Sequence, residues 1–231
     1  MFGVRFGDKH SFYDFGLIYS SKTIGPATPQ TKLVEVPGRN GPIDMTEVVS
    51  GCVKYEARPL SVTFYTKKTV NHYQAILSEL QNYLQGQKMK IIFDDDIAFY
   101  WIGRPVVDSM ECDGSLGKIV ISAVVDPYKY TVQSSMEDWL WDPFDFEQSI
   151  INELAEMKVN GSLRVEILGE KKYANPIIIA SNAMTVDFEG SIYNVKQGSQ
   201  VMYDIILKEG SNILIFEGNG TVSINYVGGS L

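Results

Sequence analysis

From Asn160 onward the chain repeats short runs rich in β-branched and aromatic residues, and that pattern admits strands but no helix of useful length. The runs are SLRVEIL, NPIIIA, MTVDF, SIYNV, VMYDIIL, NILIFEG and TVSINYV. Turn-forming groups mark the boundaries: Asn160-Gly161, Glu189-Gly190, Glu209-Gly210 and Gly218-Asn219-Gly220. Strand candidates at such short intervals predict a small antiparallel β-sandwich of jelly-roll type.

The preceding part is also mostly strand. LSVTFYT (60–66) alternates Val62 and Phe64 against Ser61, Thr63 and Tyr65. Residues 88–106 read as a hairpin with Asp94 to Asp96 at its tip, and 117–130 as a β-branched strand stopped at Pro127. One segment breaks the pattern. In TVNHYQAILSELQNYLQG, Tyr73, Ile76, Leu77, Leu80, Tyr83 and Leu84 recur at helical spacing and predict one helix packed on a sheet. Thr69 or Asn71 is placed to cap its start, and Gly86 to end it in a left-handed turn.

Between these regions, 134–157 lacks alternation and is rich in acids and aromatics. Trp139, Trp141, Phe144 and Phe146 make it an ordered connector whose rings pack against folded surfaces, because a disordered linker carries few such residues. The expected fold is mainly β with some α. An N-terminal sandwich or barrel-like domain with one packed helix (1–133) leads through the connector (134–157) to a C-terminal β-sandwich (158–231).

The chain has 231 residues, 45% of them hydrophobic, enough for two cores. Its formal charge of -8 repels nucleic acid at long range and argues against a general nucleic-acid binder. Cys52 and Cys112 stand far apart without metal or redox spacing, and are expected as buried free thiols. No signal-peptide core opens the sequence and no run reaches membrane-span length, so no membrane insertion is expected.

Chemistry is scarce. His10 and His72 are the two histidines, too few for a metal centre without a denser set of neighbours. The Asp94–Asp96 run lacks calcium-loop spacing and suits a solvated hairpin tip. DGSLGK (113–118) lacks phosphate-loop spacing and precedes a strand, so it reads as a turn. Asn160-Gly161-Ser162 and Asn219-Gly220-Thr221 match the glycosylation sequon but read as turns. No catalytic constellation can be assembled, and no enzyme, cofactor or metal is predicted.

VEVPGRNGPID (34–44) carries far more turn chemistry than a hairpin needs. A phosphate cradle would need a helix N-terminus after it. None follows, and Pro42 removes one N–H. What remains is a stiff corner, pinned by Pro37 and Pro42, that holds Arg39 away from its own strands. Such an arginine suits protein contact, because little entropy is lost on docking; the alternative is a solubilising loop tip.

Five segments in order resemble the distal tail proteins of long-tailed phages. They are FGDKHSFYDFGL (6–17), VPGRNGPIDMTE (36–47), DPYKY (126–130), WLWDPFDFE (139–147) and the closing GSNILIFEGNGTVSINYVGGSL (210–231). The resemblance implies a homohexameric ring at the tail tip, joining the tail tube protein to the tail hub or tail-associated adsorption proteins and to a receptor-binding protein. Its lumen would continue the channel through which DNA passes as cargo. The implied location is the virion tail tip, after synthesis and assembly in the host bacterial cytoplasm. Arg39, Asn40 and Asp44 are then the candidate inter-subunit contacts. The C-terminal domain of this family is often galectin-like, so the alternative function is a carbohydrate-binding module for host recognition. After Trp141 this chain has no tryptophan, no histidine and one arginine, Arg164, which favours a scaffold with at most weak carbohydrate contact.

Overall fold

The computed structural model describes residues 2–48, 50–66, 70–113, 116–132 and 154–231. They form two compact units: Met1–Asp96 with Trp101–Pro127, and Ile97–Tyr100 with Tyr128–Leu231. Trp139, Trp141, Phe144 and Phe146, named above as connector rings, lie outside the described residues, as does Thr69.

The first unit opens with β1 (Val4–Phe6), β2 (Lys9–His10) and β3 (Ile18–Ile24), followed by β4 (Leu33–Val34) and β5 (Ile43–Asp44). Then come β6 (Arg58–Thr66), helix α1 (Val70–Leu84), β7 (Met89–Phe93), β8 (Phe99–Asp113) and β9 (Leu116–Val125). The main sheet has the order β2-β1-β7-β8-β9-β6-β3, antiparallel throughout. Alternation explains it. Leu60, Val62 and Phe64 of β6 and Ile119, Ile121 and Ala123 of β9 point to one face and are buried. Helix α1 covers that face with Ile76, Leu80 and Leu84, packed among Phe6, Phe64, Ile91 and Phe93. Each such aliphatic side chain contributes roughly 1.5–3 kcal/mol by leaving water. Gly86 ends the helix with φ 77°.

Beside this core, one buried polar group has no partner among the described residues. The Tyr73 hydroxyl is buried without a hydrogen bond, while Gly117 lies so close to its ring that a Cβ there would stand 2.6 Å away. Burial, then the nearby Cys112 and Glu111, push its pKa above the ordinary phenol value.

The second unit contains β10 (Tyr130–Thr131), β11 (Met157–Gly169), β12 (Ile177–Ala180), β13 (Met184–Phe188), β14 (Ser191–Val195), β15 (Gly198–Val201) and β16 (Gly210–Asn225). Here several sequence expectations need correction. NILIFEG and TVSINYV belong to one strand, β16, and Asn160-Gly161 lies within β11. The two strands pair without interruption from Met157↔Val222 to Gly169↔Gly210, with Gly161 opposite Gly218. VMYDIIL forms no strand beyond its first residue, Val201, which ends β15; Leu207 makes only an isolated bridge to Ala174.

The glycines that look like turns therefore lie inside a long strand. On the other edge of β16, β13 pairs with 214–217 and β12 with 222–225, on either side of these glycines. Leu214, Phe216, Val222 and Ile224 point inward, and Gly218 and Gly220 hold the same parity. A Cβ on Gly218 would lie 2.7 Å from the Met184 Cβ, and one on Gly220 2.5 Å from Ser181 Oγ. Both also have φ near the edge of the region open to glycine, 148° and 147°. The Asn219 side chain accepts the Gly161 N–H at 3.1 Å, and its carbonyl accepts from Asn182 at 2.9 Å. The strands on both sides contribute to a single core, from Ile178 and Ala180 to Val186, Phe188 and Val195. The chain is thus mainly antiparallel β with one packed helix, as its periodicity predicts. Neither cysteine is buried: Cys52 is half-buried and Cys112 exposed, and both are free.

Two substitutions test this packing. Gly218→Ala should cost about 1–3 kcal/mol in urea unfolding, whereas Gly161→Asn, at φ 78° with nothing within 4 Å, should be nearly neutral. Tyr73→Phe removes an unpaired buried hydroxyl and should stabilise the chain by about 1 kcal/mol; a loss of stability would mean the hydroxyl has a partner.

Candidate assembly surface

Between Ile24 and Arg58 the chain leaves the main sheet and returns as a narrow ribbon. Its ladders are short. Pro29 bridges Tyr55, and β4 pairs with β5 through Leu33↔Asp44 and Val34↔Ile43. The Met45 N–H reaches the Lys32 carbonyl at 2.8 Å, and the Gln30 N–H the Lys54 carbonyl at 2.8 Å. No described residue from 25 to 59 is buried. Strand pairing places Val34, Val36, Ile43 and Met45 on one face, with Leu33 and Asp44 on the other. Leu33 is 58% exposed and Val48 65%. A two-stranded ribbon is marginal in water by itself, and the apolar strip on this one keeps Val34 and Val36 exposed and Ile43 and Met45 only half-buried.

The ribbon's corner is the PGRNGP segment. The Arg39 N–H donates to the Val36 carbonyl at 3.2 Å, with Pro37 and Gly38 between them and Gly38 at φ 83°. This is a type II turn, in which proline pre-sets the first central residue and glycine supplies the positive φ of the second. Gly41 takes φ 80° just before Pro42. Arg39 and Asn40 are exposed at the tip, and nothing lies within 4 Å of where a Cβ on Gly38 or Gly41 would be.

Asp44, the third candidate contact, sits one strand end away and is locally engaged. Its Oδ1 accepts the Thr46 N–H at 2.9 Å, while Thr46 Oγ1 accepts the Lys32 N–H at 3.0 Å. The Thr46 side chain and then its backbone N–H hold the Asp44 pKa below the ordinary aspartate value. The structure thus groups Arg39 with Asn40 and assigns Asp44 a part in closing the ribbon.

A second constellation was not legible in the sequence. His10 is 7% exposed, and its Nδ1 accepts N–H groups from Phe12 at 3.1 Å and Tyr13 at 3.3 Å. With Nδ1 so occupied, the hydrogen-bond network assigns the proton to Nε2, which donates to Asp94 Oδ2 at 3.0 Å. The same oxygen accepts the Gly3 N–H at 2.8 Å. Asp95 pairs with Lys22 at 2.6 Å, and that ammonium lies 4.3 Å from the Phe93 ring centroid. The acidic tip is solvated, yet it fastens the N-terminal strands to the β7–β8 turn. The side chain of His72 lies outside the described residues. Among the described residues no three His, Cys, Asp or Glu side chains group to hold a metal, and no helix is long and apolar enough to cross a membrane.

Residues 8–122, which contain the ribbon and nearly all of the sheet that bears it, match the family described as phage tail protein RIFT-related domain. The chain is a phage tail protein. Its fold matches a solved structure, the Dit protein (gp 19.1) of phage SPP1, with a TM-score of 0.65 over 100% of both chains at 13% identity. That protein is described as a paradigm of the hub adsorption apparatus in phages infecting Gram-positive hosts. No protein of curated function matches the sequence. Family and fold are those of a structural tail component of a virion, and the distal tail resemblance drawn from VPGRNGPIDMTE and its companion segments agrees with both.

The Asp44 contact has a definite pH signature. Because its pKa is depressed in the fold, its stabilising contribution is present above the ordinary aspartate value and is lost as pH falls through the lower, folded one. The Thr46 amide resonance should therefore titrate with a midpoint below that of a free aspartate, and Asp44→Ala should abolish the titration. A midpoint at or above the free value would contradict the contact.

Proposed function

We propose that this tail protein assembles through its ribbon into a closed homohexameric ring at the tail tip. There it joins the tail tube to the hub or adsorption apparatus, with a receptor-binding protein among its neighbours. The observation that carries this reading is the ribbon itself: an apolar strip with no fully buried residue, and an exposed, pre-turned arginine corner, on a phage tail domain. A second copy of the chain is the occupant. A closed ring needs a heterologous contact, one surface projecting and a different one receiving, and a ribbon is a projecting surface. Arg39 and Asn40 make the polar contact, and Val34, Val36, Ile43 and Met45 the apolar one. The turn geometry limits the entropy lost on docking.

The ring's lumen would pass DNA as cargo. A net charge of -8 suits that role, because phosphates that find few cations slide past without tight binding. The work of such a protein is interface geometry, and no bond chemistry is required of it.

Native mass measurement tests the stoichiometry: the account expects a hexamer of the 25.9 kDa chain, with annular particles in negative stain. Arg39→Ala should raise the assembly dissociation constant about tenfold, roughly 1.4 kcal/mol, without changing thermal unfolding of the single chain. A strictly monomeric protein at high concentration contradicts the ring. A full-strength ring of the Arg39→Ala variant contradicts the ribbon contact.

A further inference from the structure

The ribbon has no buried residue to fix its direction, so whatever orients it must act at its root. There the chain departs at Gly25 and returns at Arg58. The Gly25 N–H donates to the Pro59 carbonyl at 2.8 Å, and the Gly25 carbonyl accepts Arg58 Nε–H at 2.6 Å. The approach is close enough that a Cβ on Gly25 would stand 2.7 Å from the Pro59 ring. Arg58 then reaches beyond the root. Its Nη1 donates to the Pro127 carbonyl at 3.4 Å, and its guanidinium carbon lies 4.8 Å from the ring centroid of Trp101. Trp101 is 5% exposed and sits in the middle of the main sheet, opposite Ile91. Pro127 is the residue at which the chain leaves the first unit.

We propose that Arg58 is a positioning residue that sets the direction in which the ribbon leaves the sheet, by clamping Gly25 to Trp101 and Pro127 through one planar guanidinium. A planar fork can donate to two carbonyls in fixed directions while stacking on an indole; an ammonium carries a single charge without that geometry. Partial burial lowers the guanidinium's pKa from its ordinary value by disfavouring the charged form. The consequence for assembly is that the ribbon is presented pre-aimed, so that docking need not select one direction from many. The positioning itself is a property of a single chain and stands or falls apart from the ring.

The test is a distance distribution from pulsed electron resonance. One nitroxide goes on the native Cys112, which is exposed, and the other on Val48→Cys in a Cys52→Ser background, diluted with unlabelled chain. A second pair, Cys112 with Thr23→Cys, reports on the sheet alone. The ribbon pair should give one narrow distance in the parent. Both Arg58→Met and Arg58→Lys should lose that narrow distance, while the sheet pair stays narrow. Arg58→Lys keeps the charge and so guards against a variant that fails to fold. A ribbon pair that stays narrow in both variants overturns the proposal, and so does equal broadening of the two pairs, which would mean general loosening of the unit.

Discussion

Every apolar face that a β-structure creates must be covered, and the fold of this chain follows from how each face meets that demand. In the first unit, helix α1 lays Ile76, Leu80 and Leu84 over Leu60, Val62, Phe64 and their neighbours. In the second, the described residues include no helix. The long β11–β16 pair carries β13 and β12 on either side of Gly218 and Gly220, and these strands share one core. The third apolar face belongs to the ribbon, where Val34 and Val36 are exposed and Ile43 and Met45 only half-buried. Two faces are covered within the chain, and the proposed ring supplies the cover for the third.

The details around the ribbon are consistent with a surface prepared in advance. The type II turn at Pro37-Gly38 fixes its corner, the Asp44–Thr46–Lys32 bonds close its end, and Arg58 holds its root. Each is a local, polar constraint where hydrophobic packing is lacking. Their net contribution to the stability of the free chain is small, since exposed hydrogen bonds exchange with water. Their effect falls on binding, by reducing the freedom lost when the ribbon docks.

Much of this was legible in the sequence, and the limits have physical reasons. Alternation in LSVTFYT and the stripe from Tyr73 to Leu84 predicted β6 and α1, because each period is imposed by a buried face. The corner at Arg39 was readable because Pro37 and Gly38 have few other uses. By contrast, Gly218-Asn219-Gly220 read as a turn, since glycine serves turns and strand bends alike. Only long-range contacts with Met184 and Ser181 tell them apart. The His10–Asp94 bond joins residues that are far apart in sequence, with no local signal to mark it. Val34 to Val36 alternates like a strand, and alternation reports an apolar face without saying what covers it. VMYDIIL is the clearest excess: Met202, Ile205 and Leu207 are buried, but as an irregular segment that plugs the core and does not join the ladder.

The claim that a second copy covers the ribbon is open to one direct measurement. A photoreactive phenylalanine analogue placed at Asn40, beside Arg39 at the exposed corner, can be irradiated in the assembled protein and its adducts mapped by mass spectrometry. The account predicts adducts between chains, reproducibly on one surface of a neighbouring copy and absent when assembly is disrupted. Assembled particles whose adducts fall only within the same chain would contradict it.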